Sequence, residues 1–229
     1  MLTSKIKDII AMSAREYGWV MEPDAKDILQ LAGVAVPAYC WAKSPEEARD
    51  FAAKQGYPLA MKIVSPQVLH KSDVGGVMIG IDTDAALLAG FEKMSRIEGF
   101  AGVHLEEMCS GIELIIGAKI DFQFGPVVML GLGGVSVEIY KDTVIHMAPL
   151  HRNDVESMVH KLKARELFEG FRGAKAVNME SLADLMVAFS RLVVDVADEI
   201  ESIDLNPVFC NENRCLAADA RIILPSEIH

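Results

Sequence analysis

The residues best placed to do chemistry fall in one stretch, Tyr57 to Val77. A single cation, Lys62, interrupts the apolar run Leu59–Val64, which reads as a buried strand. His70, Lys71, Ser72 and Asp73 follow as a polar loop, and Gly75-Gly76 opens a second apolar run, Val77–Ile81. Two strands around a Gly-rich turn fold as a hairpin that lies over a polyphosphate. Glycine N–H groups are expected to face the phosphate oxygens, because no side chain blocks close approach. Lys62 is expected to add a point charge for the same oxygens. The glycines lead into a strand, whereas those of a Walker loop lead into a helix. Each residue also has an ordinary alternative. Lys62 is then a cation snorkelling from a strand edge, Gly75 and Gly76 simply shape a tight turn, and His70 is a surface or capping histidine.

The elements that must position these residues are legible around them. Lys5–Arg15 carries Ile6, Ile9, Ile10 and Ala14 on one helical face. Pro23 sits near the start of a second helix, with Ile28, Leu29 and Leu31 apolar and Gly33 as its stop. Val34–Trp41 reads as a strand. Ser44-Pro45-Glu46-Glu47 supplies an N-cap, a first-turn proline and a capping-box glutamate for a helix that Gly56 ends. Asp82-Thr83-Asp84 caps a helix through Arg96.

From Gly102 the pattern turns to closely spaced strands: Val103–Met108, Glu113–Ile120, Val127–Leu130, Val135–Tyr140 and Val144–Met147, a mostly antiparallel sheet. Helices return at 153–161, 165–168 and 181–199, and two strands, Ser202–Phe209 and Arg214–Asp219, close the fold around Asn211-Glu-Asn213. The expected architecture is α+β, with two lobes, 1–102 and 103–229, and a ligand cleft between them.

The 229 residues are enough for a substantial core. Apolar residues at 51% and charged ones at 24% fit a soluble globular enzyme. A net charge of -11 without a Lys/Arg cluster argues against nucleic acid or an anionic membrane as partner. A bound polyphosphate must therefore be held by local cations and metal. The run Leu182–Ile200 is broken by Asp184, Arg191, Asp195 and Asp198, which makes it an amphipathic helix and too polar to span a membrane. The N-terminus shows no signal-peptide core. Cys40, Cys109, Cys210 and Cys215 form no CxxC pair, so reduced thiols and a cytoplasmic location are expected.

Pro58, Lys62, Ser65-Pro66, His70-Lys71-Ser72-Asp73 and Gly75-Gly76 together resemble the nucleotide-binding lobe of NDP-forming acyl-CoA synthetases, within the ATP-grasp superfamily that also includes succinyl-CoA synthetase. Further matching segments are Glu106-Glu107-Met108 with Gly111-x-Glu113-Leu-Ile-Ile-Gly117, Asp121-Phe-Gln-Phe-Gly-Pro126, Gly131-Leu-Gly-Gly134 with Glu138, Ala148-Pro-Leu150, Gly170-Phe-Arg-Gly173 and Asp204-Leu-Asn-Pro207. The resemblance runs from about residue 15 to 224, and is strongest to separate β subunits of ADP-forming acetate–CoA ligases.

The resemblance implies roles. His70 is similar to a phosphoryl carrier that works beside a phosphohistidine on a partner subunit, which suits the nucleophilicity of neutral imidazole. Lys71 and the glycine N–H groups would stabilise the moving phosphoryl charge. Glu106-Glu107-Met108 resembles an adenine-binding hinge. Adjacent strand residues point to opposite faces, so either glutamate could meet the base, and Met108 is either an adenine contact or core. Glu113 resembles an acidic residue lining the nucleotide, or is an exposed strand glutamate. Asn206 and Asp219 resemble a magnesium pair, for which oxygen ligands are suited. Strand alternation places Asp204 on the same face as a weaker candidate. The alternative is a polar turn network. Arg172 would contact phosphate or a partner chain, or pair with a carboxylate. Gly131-x-Gly133-Gly134 is not a dinucleotide fingerprint, because Ser136 replaces the third glycine and strand residues follow.

The activity implied is acyl-CoA + ADP + phosphate ⇌ acid + CoA + ATP, with Mg²⁺ as cofactor and ATP/ADP as substrate. No Gly-rich CoA-binding segment is present. The resemblance therefore implies a catalytic β subunit that works with an α subunit carrying the CoA-binding and phosphohistidine domains, in an α2β2-type hetero-oligomer. The competing readings are a stand-alone ATP-grasp carboxylate–amine ligase and a non-catalytic nucleotide-sensing module.

Overall fold

A computed structural model of the chain describes residues 2–68, 70–134, 142–171, 173 and 175–225. The expected strand Val135–Tyr140, with Ser136 and Glu138, and the residue Arg172 lie outside the described residues.

The chain divides into a smaller unit, Met21–Pro23 with Pro37–Cys109, and a larger one, Met1–Val20 with Asp24–Val36 and Ser110–His229. This corrects the boundary expected at residue 102. The strand that begins at Gly102 is hydrogen-bonded on both sides within the smaller unit, so the chain leaves that unit only after Cys109.

The smaller unit holds a four-stranded antiparallel sheet in the order β1-β4-β2-β3: β1 Tyr39–Ala42, β4 Gly102–Glu107, β2 Leu59–Val64 and β3 Val77–Ile81. Two helices cover one face, α3 (Pro45–Gln55) and α4 (Asp84–Met94). Leu59, Met61, Ile63, Val103 and Leu105 from the sheet and Ala48, Ala52, Leu87 and Phe91 from the helices form its apolar core. The period of two along β2 leaves Ala60 and Lys62 for the other face. Both helices start where the sequence predicts. Ser44 Oγ accepts from Glu47 N–H at 3.2 Å, and Thr83 Oγ1 from Ala86 N–H at 3.3 Å. The glutamate of the predicted capping box reaches one residue further back, with Glu47 Oε2 accepting from Lys43 N–H at 2.6 Å. The expected strand Val34–Trp41 shortens to Tyr39–Ala42. Pro37 has no N–H for a ladder, and Val34 packs in the core of the larger unit instead.

The predicted hairpin is present. β2 and β3 pair antiparallel, with Lys62 opposite Val77, and a 3₁₀ turn at Lys71–Val74 lies between them.

In the larger unit, α1 (Leu2–Tyr17) and α2 (Glu22–Leu31), whose first two residues belong to the smaller unit, precede the main sheet. That sheet runs β10-β8-β5-β6-β7, with β9 beside β8. Its strands are β5 Ile112–Asp121, β6 Gly125–Leu132, β7 Thr143–Met147, β8 Ser202–Cys210, β9 Cys215–Ala217 and β10 Ala220–Ile223. Helices α5 (Arg152–Lys161), α6 (Glu166–Glu169) and α7 (Met179–Asp195) lie between β7 and β8 in sequence. One sheet face (Leu114, Ile116, Val128, Leu130, Ile203, Leu205) packs in a core with Leu182, Leu185, Met186 and Phe189 of α7. The other face carries exposed Glu113, Lys119, Asp204 and Asn206. The Asp121–Pro126 motif is a β5–β6 turn. Asp121 Oδ1 accepts from Gln123 and Phe124 N–H, which holds its carboxyl below the usual range. Cys210 and Cys215 stand opposite each other on β8 and β9 as buried free thiols, and burial pushes the Cys210 thiol up. No described helix is long and apolar enough to cross a membrane.

Gly76 is fixed by close approach. A Cβ there would lie 2.4 Å from Ile63 Cγ2 and 3.0 Å from Lys71 O. We expect Gly76→Ala to destabilise the protein by about 1–3 kcal/mol, the usual cost of overpacking, measured by urea unfolding.

Candidate functional site

Lys62 projects from β2 directly opposite His104 on β4, with Glu106 two residues further along the same face. Its ammonium bonds two buried carboxylates, Glu22 Oε1 at 2.8 Å and Glu106 Oε1 at 2.7 Å. Glu22 comes from the start of α2, and its other oxygen, Oε2, accepts from the Lys71 ammonium. His104 is fully buried beneath these groups, with Nε2 at 3.9 Å from Glu22 Oε1 and 3.6 Å from Glu106 Oε2. Its ring stacks on Tyr39, centroids 5.1 Å apart. Lys62 is thus a partnered, largely covered cation on an inner strand, and the snorkelling-edge alternative does not hold: its side chain is 12% exposed and its ammonium is held by two carboxylates.

Glu22, His104 and Glu106 offer ligand atoms within 4.8 Å of one another, the spacing of a metal site. The Lys62 ammonium, hydrogen-bonded to both carboxylates, already supplies the positive charge there. A dication beside it would face direct repulsion.

His70 precedes the 3₁₀ turn as its N-cap residue, is exposed, and makes no side-chain cap hydrogen bond. The next residue, Lys71, is anchored on Glu22. Gly75 and Gly76 depart from expectation. Gly75 N–H donates to Ser72 O at 3.2 Å and Gly76 N–H to Lys71 O at 2.8 Å. Both donors close the turn, so they do not form the N–H array expected to face a phosphate. Gly75 adopts φ +66°, which only glycine takes without strain. The glycine N–H groups are thus engaged within the turn, and the charge the hairpin carries here is that of Lys62 and Lys71.

At the expected hinge, Glu106 and Glu107 point to opposite faces, as strand geometry requires. Glu106 binds Lys62. Glu107 Oε1 accepts from Ala38 N–H at 3.0 Å, while its own N–H donates to Ala38 O at 3.0 Å. Met108 follows the end of β4 and is half-buried.

In the larger unit, Glu113 is exposed on β5, and the Gly133-Gly134 loop packs against it. Gly133 N–H donates to Glu113 O at 2.6 Å, and a Cβ on Gly134 would lie 3.3 Å from Glu113 Oε2. The expected last strand, Arg214–Asp219, is interrupted. Only Cys215–Ala217 of it is strand (β9); Ala218 and Asp219 break the ladder, and β10 begins at Ala220, beyond the expected bound. Opposite this break is Pro207, which has no N–H to donate. Asn206 N–H donates to Asp219 O at 3.3 Å, and Ala218 N–H to Pro207 O at 2.9 Å. Asn206 and Asp219 are therefore cross-strand neighbours. Asn206 is exposed and Asp219 half-buried, with Asp204 exposed two residues before Asn206. Desolvation raises the Asp204 carboxyl above its ordinary value even though the residue is exposed, and Arg221 opposite it pulls the other way. An amide oxygen with neighbouring carboxylates is a donor set whose chemistry fits Mg²⁺.

A buried lysine holds this break in place. Lys26 of α2 is fully buried, and its ammonium donates to Ala217 O at 2.9 Å and Ala218 O at 2.8 Å.

The family model described as an ATP-grasp domain matches residues 11–224. The chain belongs to the ATP-grasp family. Among curated relatives, it is 42% identical to the Pyrococcus furiosus acetate–CoA ligase (ADP-forming) I subunit beta, covering 96% of this chain and 98% of that one. It is 38% identical to the Archaeoglobus fulgidus acetate–CoA ligase (ADP-forming) I, covering 98% of this chain but only 34% of the longer relative. Among solved structures, it superposes on the Ca. Korarchaeum cryptofilum dinucleotide-forming acetyl-coenzyme A synthetase 1 in complex with coenzyme A and Ca-AMPCP. The TM-score is 0.86 at 39% identity, over 94% of this chain and 98% of that one. Another structure of that synthetase holds coenzyme A and Mg-AMPPCP, with a phosphohistidine segment pointing towards the nucleotide-binding site.

Three residues of this ATP-grasp chain escape sequence reading: Glu22, Lys26 and His104. Glu22 and Lys26 stand four apart, the spacing of an ordinary exposed helix ion pair. In the fold both are buried, and each bonds distant chain segments. The only signal for His104 is a polar ring in an otherwise apolar strand.

Removing the Lys26 ammonium takes a hydrogen bond from each of two buried residues' carbonyls. Lys26→Met is expected to destabilise the protein by about 1–3 kcal/mol, read as a lowered urea midpoint with unchanged m-value.

Proposed function

We propose that this chain is the nucleotide-binding, phosphoryl-relaying β subunit of an ADP-forming acyl-CoA synthetase, acting in acetyl-CoA + ADP + phosphate ⇌ acetate + CoA + ATP. The observation that carries the reading is the pairing of an exposed imidazole, His70, with an adjacent ammonium, Lys71, that is already anchored in a buried charge cluster. Similarity over nearly the full length of a subunit that bears this activity in its name supports it.

On this reading Lys62 and Lys71 attract the nucleotide phosphates. The His70 imidazole forms a P–N bond as it accepts a phosphoryl group, and the phosphoryl donor leaves with the bonding electrons. In the ATP-forming direction a terminal oxygen of ADP attacks the phosphorus, the P–N bond breaks, and the imidazole nitrogen takes up a proton. Lys71 offsets the charge carried by the phosphoryl oxygens during both displacements. Glu106, Glu107, Met108 and Glu113 remain candidates for nucleoside contacts. Backbone groups at the end of β4 are the better adenine donors and acceptors, because both hinge carboxylates already have partners. Asn206 and Asp219 would hold Mg²⁺, with Asp204 near the same face. When bound, the ion neutralises diphosphate charge.

The acid and CoA chemistry then belongs to an α-type chain, in a hetero-oligomer of two copies of each. Relatives named as beta subunits support a separate α-type chain, and the Archaeoglobus relative, in which the matching part is 34% of one longer chain, fits the same division. The reading places the enzyme in the cytoplasm.

The test combines the chain with a candidate α-type subunit, Mg-ATP, CoA and acetate. His70→Asn is expected to abolish both acetyl-CoA formation and acid-labile phosphohistidine on this chain, while ATP affinity stays within about threefold, under ~0.7 kcal/mol. Full turnover by the lone wild-type chain would refute the division of labour. Asn206→Ala or Asp219→Ala should raise the Mg²⁺ concentration for half-maximal activity about tenfold, the scale of ~1.4 kcal/mol. An unchanged Mg²⁺ dependence in both variants would remove them as ligands.

A further inference from the structure

We propose that Glu22 is a positioning residue for the phosphoryl relay: its buried carboxylate sets Lys62 and Lys71 for phosphate and, through Lys71, presents the segment that carries His70. This rests on the relay reading above and deepens it.

The carboxylate acts as a fork. Oε1 takes Lys62 at 2.8 Å and Oε2 takes Lys71, so one acid gathers cations from two ends of the loop joining β2 to the 3₁₀ turn. The Glu22 side chain is 2% exposed, against 12% and 18% for the two lysines. Both lysine side chains thus keep some exposure, while the acid keeps almost none. Two ammonium groups this close repel each other unless an anion separates them, and Glu22 is that anion. Lys62 has a second carboxylate, Glu106 at 2.7 Å.

A buried ion pair is a poor device for stability alone, because well-packed apolar residues do as well or better. The arrangement is better explained by what it holds in place. Lys71 follows His70 directly, so anchoring its ammonium fixes the turn at whose start the imidazole stands. The acid also opposes an incoming phosphate, being a like charge on the same lysines. A purely supportive residue would strengthen nucleotide binding, whereas a positioning acid weakens it slightly in exchange for geometry.

The test uses the full chain with its partner chain, comparing wild type, Glu22→Gln, Lys71→Gln and the double variant. The readouts are the single-turnover rate of His70 phosphorylation from saturating Mg-ATP and the ATP dissociation constant. Glu22→Gln should slow phosphorylation about tenfold or more with ATP affinity unchanged or tighter. The double variant should be no slower than Lys71→Gln. An undiminished rate in Glu22→Gln, or a double variant slower by the product of the two single effects, overturns the inference. Should Glu22→Gln fail to fold, Lys71→Gln decides: a rate within twofold of wild type overturns the inference, and a tenfold fall with ATP affinity retained supports it. Wild-type chain that never forms phosphohistidine brings down the relay reading itself. Phosphohistidine formed normally by both wild type and Glu22→Gln brings down the role of Glu22 alone.

Discussion

The Lys62 ammonium and its two buried carboxylates hold the smaller unit's polar face together. Strand β2 contributes the cation, β4 contributes Glu106, and the start of α2 contributes Glu22. Three segments far apart in sequence meet at one charged atom. The cost of burying these charges is offset only if every member keeps its partner. That requirement fixes the register of β2 on β4, because a slip by one residue would turn Lys62 into the apolar core and leave both acids without it. His104, stacked on Tyr39 beneath the acids, fills the space that would otherwise admit water.

The same constraint explains the loop. Lys71 reaches back to Glu22, so the segment between β2 and β3 is held at its far end as well as at its root. The 3₁₀ turn then closes on itself through the Gly75 and Gly76 N–H groups. The glycines are needed there for shape, since Gly76 lies against Ile63 with no room for a Cβ. His70, Ser72, Asp73 and Val74 are exposed residues of this segment, and Lys71 is half-buried.

Much of this was legible in the sequence, for identifiable reasons. Hairpin strands Leu59–Val64 and Val77–Ile81 appear at the predicted bounds because apolar alternation and flanking turn residues agree. The caps at Ser44 and Thr83 are local and form as read. Asn206 and Asp219 prove to be cross-strand neighbours. The failures are non-local. Pro37 precedes the strand, which starts only at Tyr39 although the apolar pattern begins earlier. The glycine donors turn inward because the 3₁₀ turn offers nearer acceptors than solvent. Glu22 and Lys26 look like a helix-surface pair, and only the tertiary fold shows that each is buried against different chain segments. The unit boundary was misplaced because β4 opens a run of strands in sequence but joins the earlier sheet in space.

The smaller unit is assembled from two separate pieces of chain, three residues at 21–23 and the long segment from 37 to 109. The short piece carries Glu22. A contiguous excision of 37–109, the natural choice for expressing this region alone, would keep Lys62, Lys71, His104 and Glu106 but leave behind the acid that balances them. Domain dissection, fusion design or circular permutation of this chain should treat the tripeptide as an inseparable part of the module it neutralises.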